Sequence, residues 1–361
     1  MVNKHMPYDL KQMQSLPLAA KIIMTQQRIR QWYEHWEGQV YVSFSGGKDS
    51  TVLKHIVDSM YNDVPAVFVN TGLEYPEIQQ FVRSIKAGKY DCFNNDIEII
   101  RPEMRFDEVI NKYGYPVFSK EVATYIQYGR KAIEKEDKAK ERRYLYGERR
   151  NPKNGKVYQY MKLSKTALDV ALNSNIPVSS MCCSIMKKKP AKKYAKETGR
   201  KSIQGTLAEE SKLREMNWIK HGCNAFDSGE PISRPLSFWT EQDILQYLKK
   251  YDVPYCSVYG EIVPTSEEEQ VAGQLTTFDI LDDYSGTLLT TTGCDRTGCI
   301  FCMFGCHLEK EPNRFQRLKE THPRQYEYCI GGGEYVDGKW QPSKEGLGLG
   351  KVLDYIGVNY K

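Results

Sequence analysis

A buried strand that runs through a glycine turn into a helix constrains this chain more than any other feature. The segment Tyr41–Val57 reads YVSFSGGKDSTVLKHIV, with an apolar run before the turn at Ser45–Ser50 and an amphipathic run after it. Strand patterns recur at 66–71 and 96–102, with a helix pattern at 76–88 between them. This alternation predicts an α/β fold with a doubly wound, mostly parallel sheet, whose ligands bind beyond the carboxyl ends of the strands.

The chain of 361 residues is long enough for more than one domain, and its patterns divide it into three parts. Residues 1–38 are expected to form an amphipathic helical segment. Residues 39–253 are expected to form the α/β domain, which carries a basic helical insertion at about 104–180. The remaining residues, 254–361, are expected to form a cysteine-rich C-terminal module.

Sheet and helix patterns return after the insertion. A strand is expected at 201–207 and a helix at 240–251. Thr240 and Asp243 have the spacing of a capping box, so we expect the helix to begin there.

The turn itself indicates an anion site. A strand that ends in a glycine turn at a helix N-terminus directs free backbone N–H groups and the helix dipole at one place. One lysine and two hydroxyl groups beside those N–H groups indicate a phosphate. The turn is not a Walker loop, because the first glycine of that motif would fall on Val42 and Asp49 replaces its hydroxyl residue.

Composition indicates a water-soluble chain with an uneven charge. The mean hydropathy is −0.60, no apolar run approaches the ~18 residues of a membrane span, and the first residues lack a signal-peptide core. We therefore expect a cytoplasmic protein that does not bind membranes. Segments 130–162 and 187–201 each carry a net charge of +7, which leaves −9 for the rest of a chain whose total is +5. Two such segments indicate a polyanionic partner, or else solvated lysine-rich helices.

The ten cysteines are clustered in a way that favours ligands over disulfides. Cys182 and Cys183 are adjacent, and four more fall within thirteen residues: Cys294, Cys299, Cys302 and Cys306. The others are scattered and are expected to be buried small hydrophobic residues: Cys92, Cys223, Cys256 and Cys329.

Ser45–Ser50 resembles, residue for residue, the S-G-G-K-D-S signature of the ATP pyrophosphatase, or PP-loop, family. Members of that family cleave ATP between the α- and β-phosphates and adenylate a substrate. The resemblance implies that Lys48, Asp49 and Ser50 are catalytic. The loop N–H groups and Ser50 would cradle the pyrophosphate, Lys48 would neutralise its charge, and Asp49 would help to organise Mg²⁺.

Three further segments resemble the PAPS reductase branch of this superfamily, with its adenine nucleotide alpha hydrolase-like fold. They are VFVNTGLEYPEIQQFV, GTLAEESKLRE and RPLSFWTEQDILQYL, so the resemblance runs from about 41 to 260. It implies a nucleotide site formed by Ser43, Ser45, Gly46, Gly47, Lys48, Asp49, Ser50, Asn70, Thr71, Gly72, Gly205, Glu210, Ser211 and Arg214.

One departure from that branch bears on the reaction. APS and PAPS reductases, which bind a ready-made adenylylated sulfate, usually lack the Lys-Asp pair of the loop and carry a C-terminal Cys-Gly-Leu-His segment. This chain keeps Lys48 and Asp49, and its last residues read GLGLGKVLDYIGVNYK. ATP cleavage is therefore the favoured expectation.

MCCSIMKKKP resembles the Cys-Cys segment of APS reductases, which binds a 4Fe-4S cluster together with a downstream Cys-x-x-Cys. The resemblance implies Cys182, Cys183, Cys299 and Cys302 as ligands, with Cys294 and Cys306 in reserve. The three lysines at 187–189 would offset the charge of such a cluster. The alternatives are a zinc site formed by Cys294, Cys299, Cys302 and Cys306, or thiols that carry sulfur.

Together these features predict an enzyme that adenylates an acceptor and supports sulfur transfer. It would resemble the sulfur-inserting component of DNA phosphorothioation systems and tRNA thiolation enzymes, with a nucleic acid acceptor and a protein partner. One alternative is an APS or PAPS reductase, which takes adenylylated sulfate. Another is a non-catalytic, nucleotide-switched binding protein of a defence or mobile-element complex.

Overall fold

The structure, a computed structural model, describes residues 3–265, 287–332, 334–336, 339–341 and 346–361. Residues 266–286 of the predicted C-terminal module therefore lie outside the described residues. The chain forms two compact units, each built from three stretches. Unit 1 comprises Met1–Asn70, Glu74–Arg101 and Pro190–Gly298. Unit 2 comprises Thr71–Leu73, Pro102–Lys189 and Cys299–Lys361. The three-part division expected from the sequence stays a prediction.

The described helices and strands follow in chain order. The helices are α1 (Pro7–Gln14), α2 (Leu18–His35), α3 (Lys48–Asp58), α4 (Pro76–Lys86), α5 (Phe106–Tyr113), α6 (Lys120–Glu134), α7 (Lys138–Leu145), α8 (Lys165–Asn173), α9 (Lys189–Thr198), α10 (Lys212–His221), α11 (Glu241–Lys250), α12 (Arg314–Thr321), α13 (Pro323–Ile330) and α14 (Leu349–Tyr355). The strands are β1 (Val40–Phe44), β2 (Ala66–Val69), β3 (Ile97–Ile100), β4 (Glu148–Arg150), β5 (Val157–Gln159), β6 (Lys201–Gln204), β7 (Asn224–Ala225), β8 (Ile232–Ser233), β9 (Ile262–Pro264), β10 (Leu289–Thr291), β11 (Glu334–Val336) and β12 (Lys339–Gln341).

Unit 1 contains a six-stranded sheet in the order β3-β2-β1-β6-β8-β7. Its strands pair in parallel except for β7, which is antiparallel to β8. The predicted α/β fold with a mostly parallel sheet is confirmed. Val42 of β1 lies opposite Ala66 on one side and Ile203 on the other. The chain leaves β1 toward β2 and later returns to its other side as β6, so a ligand crevice is expected where these two directions diverge.

Burial explains why these segments form strands and helices. β1 is buried at four of its five residues, as expected for a parallel strand that is covered on both faces. The predicted N-terminal helical segment is present as α1 and α2, and α2 buries Ile29 and Trp32 in the core of unit 1. The capping box at Thr240 and Asp243 is confirmed at the start of α11.

Asp243 also takes part in a buried ion pair. The Lys21 Nζ atom of α2 lies 2.8 and 2.7 Å from the two carboxylate oxygens of Asp243, and it donates a third hydrogen bond to the Gln14 carbonyl. The side chains of Lys21 and Asp243 are only 2% and 8% exposed. One carboxylate therefore caps α11 and neutralises a cation from α2, which ties the N-terminal helices to the sheet domain.

Unit 2 contains the segment that sequence patterns mark as an insertion. Helices α6 and α7 pack together there, and β4 and β5 form an antiparallel hairpin. Among the described helices, none combines the length and the apolar character that a membrane crossing requires.

Replacing Asp243 with alanine should destabilise unit 1 by about 3–5 kcal/mol, because the Lys21 ammonium would stay buried without its carboxylate. Urea unfolding followed by tryptophan fluorescence would measure the loss, since Trp32, Trp36, Trp218 and Trp239 all lie in unit 1. Asp9→Ala removes an exposed capping carboxylate of α1 and should cost about 1 kcal/mol or less. Equal losses for both variants would contradict a structural role for the buried pair.

Candidate functional site

The glycine turn has a backbone shape that a side chain would obstruct. Gly46 has φ +72°, in the left-handed region that favours glycine, and an added Cβ would lie 2.9 Å from Ile78 Cγ2. Gly47 is the N-cap of α3. β1 therefore passes directly into the helix, and the first N–H groups of α3 lie beside the turn.

Hydroxyl groups inside the turn hold its shape. Ser50 Oγ accepts a hydrogen bond from the Ser45 N–H at 3.2 Å and donates one to the Gly47 carbonyl at 2.9 Å. The hydroxyls of Ser45 and Ser50 are 3.0 Å apart. The two serines thus fix the loop before any ligand binds.

Gly205 allows the loop to sit against the next strand. It follows β6, and a Cβ added there would lie 2.8 Å from the Asp49 carbonyl oxygen. This approach brings the ends of β1 and β6 together at the crevice that the sheet order creates.

A cavity of about 270 Å³ opens at this crevice in unit 1. Its lining residues are Ser45, Gly47, Lys48, Asp49, Ser50, Gly205, Leu207, Glu209, Glu210, Glu241, Tyr259, Arg296, Thr297 and Gly298. Seven of the residues expected at a nucleotide site line it together. Others of the expected set lie outside this lining: Ser43, Gly46, Asn70, Thr71, Gly72, Ser211 and Arg214.

Lys48 is a buried cation that faces the cavity. Its side chain is 6% exposed, and its Nζ atom lies 2.7 Å from Glu241 Oε1 and donates to the Asp295 carbonyl. Its backbone N–H donates to the Tyr259 hydroxyl at 3.2 Å. An anion that enters the cavity would compete with Glu241 for this ammonium group.

Asp49 supplies a carboxylate that is largely desolvated. Burial raises its pKa, and the Lys48 charge opposes that rise. Its Oδ1 atom is buried and makes no hydrogen bond to any part of the chain that the structure describes. A buried, unpaired carboxylate oxygen beside the N–H groups of the glycine turn fits a magnesium ion, which proteins bind through one or two carboxylates together with substrate phosphates.

Glu210 lines the cavity near the start of α10, and Arg214, which lies outside the lining, pairs with it. Ser211 caps this helix, since its hydroxyl accepts from the Arg214 N–H. Glu210 accepts from the Leu207 N–H and from the Arg214 guanidinium, and Arg296 Nη2 lies 3.3 Å from its other oxygen. Burial lowers the pKa of Arg214, and the Arg296 charge lowers it further. Two guanidiniums therefore share one carboxylate.

The residues expected after β2 are divided between the two units. Asn70 belongs to unit 1, where its N–H pairs with the Ile100 carbonyl at 2.8 Å. Thr71 and Gly72 belong to unit 2, where the Thr71 hydroxyl accepts from the Leu73 N–H at 3.1 Å. Their role at a nucleotide stays a prediction.

Sequence reasoning missed the wall of the cavity opposite the loop. Glu241, Tyr259 and the segment 296–298 form it, and none of them is a matched motif position, although Glu241 lies inside the segment RPLSFWTEQDILQYL. The only available signal was the position of these residues in the sequence. Arg296 and Thr297 lie between Cys294 and Cys299, in a cluster whose pattern indicates metal ligands.

The four cysteines expected to hold a cluster all belong to unit 2. Burial raises the pKa of the Cys182 thiol, and the neighbouring sulfurs of Cys299, Cys183 and Cys302 raise it further, which indicates that the four lie close enough to interact. Burial likewise raises the pKa of Cys302, while Arg314 and Lys187 lower it.

Backbone pairing explains how the two cysteine pairs meet. Tyr115 bridges to Val178, just before Cys182, and Phe118 bridges to Phe304, just after Cys302. Gly114 permits this contact, since an added Cβ there would lie 2.4 Å from the Pro177 carbonyl carbon.

The reserve cysteines have different surroundings. Cys306 is buried in unit 2, and burial raises its pKa to about 12. Cys294 belongs to unit 1, where its charge acts on Cys256. Within the described residues, no three His, Cys, Asp or Glu side chains are arranged to hold a single metal ion. Four interacting thiols with cations nearby nonetheless match the donor set of a 4Fe-4S cluster, in which each ligand binds a different iron.

The chain is similar to several known proteins. The chain is 33% identical to an uncharacterized protein of Methanocaldococcus jannaschii over 24% of this chain, and the alignment spans only 21% of that protein. It is 22% identical to the adenosine 5'-phosphosulfate reductase of Staphylococcus haemolyticus over 70% of this chain and 82% of that protein. The crystal structure of phosphoadenylyl-sulfate reductase from Candida auris, in its phosphate complex, matches 64% of this chain and 82% of its own with 16% identity and a TM-score of 0.36.

A family model gives the broadest match. The phosphoadenosine phosphosulfate reductase domain matches residues 39–163 and 155–304, which include the glycine loop, Gly205 and both cysteine pairs. Since this match covers well over half of the chain, the protein belongs to the phosphoadenosine phosphosulfate reductase domain family.

Proposed function

We propose that this family member cleaves ATP between the α- and β-phosphates, adenylates an acceptor and supports sulfur transfer. One observation carries the proposal: the loop Ser45–Ser50 lines a cavity with all of its residues except Gly46 and presents Lys48 and Asp49 to it. A chain that bound only a ready-made adenylylated sulfate would have no need of a pyrophosphate cradle.

The loop residues have distinct roles in this proposal. The N–H groups at the start of α3 and the Ser50 hydroxyl bind the β- and γ-phosphates. Lys48 exchanges its contact with Glu241 for one with a phosphate oxygen, which balances the charge that develops on the leaving group. Asp49, with its unpaired oxygen, would hold a magnesium ion, and that ion would supply further positive charge at the phosphates.

The proposed reaction is a displacement at the α-phosphorus. An acceptor oxygen forms a bond to this phosphorus while the bond to the bridging β-oxygen breaks, and pyrophosphate leaves with the bond electrons. A sulfur nucleophile then bonds to the activated acceptor atom and expels AMP. Cys182, Cys183, Cys299 and Cys302 would hold an iron-sulfur cluster, which would supply sulfur or electrons when bound.

We propose a nucleic acid as the acceptor and a further protein as partner. The basic segment 130–162 includes α7 and the β4–β5 hairpin of unit 2. On that hairpin the Arg149 guanidinium lies 3.9 Å from the Tyr160 ring centroid, and the rings of Tyr158 and Tyr160 are about half exposed. Exposed aromatic rings among arginines suit the stacking of bases beside a phosphate backbone.

A second candidate function is the reduction of adenylylated sulfate. The similarity to the Staphylococcus haemolyticus reductase over 82% of that protein favours it. A sulfite-release assay with APS or PAPS and reduced thioredoxin distinguishes the two candidates. Sulfite release without pyrophosphate release from ATP would replace the proposed function with this one.

Lys48→Ala should lower pyrophosphate release from ATP by at least about 10²-fold, because the ammonium that offsets the developing charge is lost. The measurement is a coupled pyrophosphate assay on the anaerobic full chain. Arg105→Ala is the control, since Arg105 is also paired with a carboxylate but is 75% exposed and lies in unit 2, outside both basic segments. Undiminished release by Lys48→Ala, with release by the wild type established, would contradict the assignment of the loop.

Cys183→Ser should remove most of the iron from an anaerobic preparation, because one of four thiolate ligands is lost. Iron, zinc and acid-labile sulfide would be measured on one sample of each protein. Cys92→Ser is the control, since Cys92 is exposed in unit 1, and the expectation that it is buried was wrong. This variant should leave about four iron and four sulfide per chain.

The same analysis separates the cluster from its alternatives. One zinc and no iron in the wild type would favour a structural zinc site at the C-terminal cysteines. Iron content that Cys183→Ser leaves unchanged would exclude the adjacent pair as ligands.

A further inference from the structure

A second cation, besides Lys48, reaches the cavity from a segment that none of the quoted family motifs includes. Arg296 lines the cavity, and its side chain is 63% exposed, so the guanidinium is accessible to a ligand. Its contact with Glu210 holds it at the edge formed by the start of α10.

The residues on either side of Arg296 are attached to the glycine loop. The Asp295 carbonyl accepts a hydrogen bond from Lys48 Nζ. The Thr297 hydroxyl lies 2.6 Å from the Tyr259 hydroxyl, which in turn accepts from the Lys48 N–H. The backbone that carries Arg296 is therefore attached to the glycine loop at two points. The Arg296 side chain thus extends from a backbone segment that is held in place.

At this edge two guanidinium groups share one carboxylate, although the cavity as a whole also carries the carboxylates of Asp49, Glu209 and Glu241. Glu210 is the carboxylate that pairs with both Arg214 and Arg296, so one negative charge faces two positive ones. A planar guanidinium binds phosphate or sulfate oxygens in pairs, and such charge-assisted hydrogen bonds are stronger than neutral ones. An anion at the cavity edge would compete with Glu210 for the Arg296 guanidinium.

We propose that Arg296 binds the anionic group attached to the α-phosphate of an adenine nucleotide. It thereby selects nucleotides that carry such a group, ATP or APS, over AMP. This inference rests on the proposed function, because it places a nucleotide in the same cavity. The shared chemistry is a tetrahedral oxyanion, which is either the β- and γ-phosphates of ATP or the sulfate of APS.

The test is calorimetric binding of ATP with magnesium, of APS and of AMP to the full chain and to two variants. Arg296→Ala should weaken binding of ATP, APS or both by about tenfold or more and change AMP binding by less than about twofold. Arg296→Lys, which keeps the charge but loses paired hydrogen bonds, should fall between. Arg105→Ala is the matched control, since Arg105 is also an exposed arginine paired with a carboxylate but lies in unit 2, and it should change nothing.

The ligands separate the two sources of the oxyanion. A loss confined to ATP assigns Arg296 to the phosphate chain, and a loss confined to APS assigns it to sulfate. Unchanged affinity for both, or an equal loss for AMP, would overturn the inference, as would a wild-type chain that binds neither ATP nor APS more tightly than AMP.

Failure of the inference is distinguishable from failure of the proposed function. If the wild type releases pyrophosphate and Arg296→Ala binds ATP and APS with unaltered affinity, the proposed function is retained and the role of Arg296 is excluded. If the wild type releases no pyrophosphate but binds APS with an affinity that depends on Arg296, the proposed function fails and the role of Arg296 is retained.

Discussion

The candidate site depends on one steric constraint, which is the close approach of backbone to backbone around the glycine loop. Gly46 packs toward Ile78, and Gly205 packs against the carbonyl of Asp49, at distances that leave no room for a Cβ. These two approaches set the start of α3 directly at the ends of β1 and β6. The N–H groups of the first helical turn then converge on the crevice, where they can bind an anion.

Charge follows from this geometry. Lys48 is buried and needs a negative partner, because a lone ammonium in such a place would be strongly unfavourable. Without a ligand, Glu241 and the Asp295 carbonyl fill that role. The cavity thus carries carboxylates from Asp49, Glu209 and Glu241 beside its cations. A polyphosphate would meet repulsion there unless a divalent cation accompanied it, which agrees with the unpaired Asp49 oxygen.

The cysteines of unit 2 illustrate a different constraint. Cys182 and Cys302 are far apart in the chain, and the short extended segment around Tyr115 and Phe118 joins their neighbourhoods through two bridges. Burial raises the pKa values of the Cys182 and Cys302 thiols. Lys187 lowers both values, and Arg314 lowers that of Cys302. Such a site would suit an iron-sulfur cluster, because Lys187 and Arg314 would offset the negative charge that four thiolates bring to it.

The sequence by itself determined the local features. Strand patterns predicted β1, β2, β3 and β6, the glycine turn predicted the start of α3, and Thr240 with Asp243 predicted the start of α11, because each depends only on neighbours in the chain. The tertiary structure alone decided the partners. It placed Lys21 on Asp243, Tyr259 on Lys48 and Arg296 on Glu210. These contacts join residues 86 or more positions apart. A pattern within a short sequence window cannot show which distant side chains will come into contact when the chain packs.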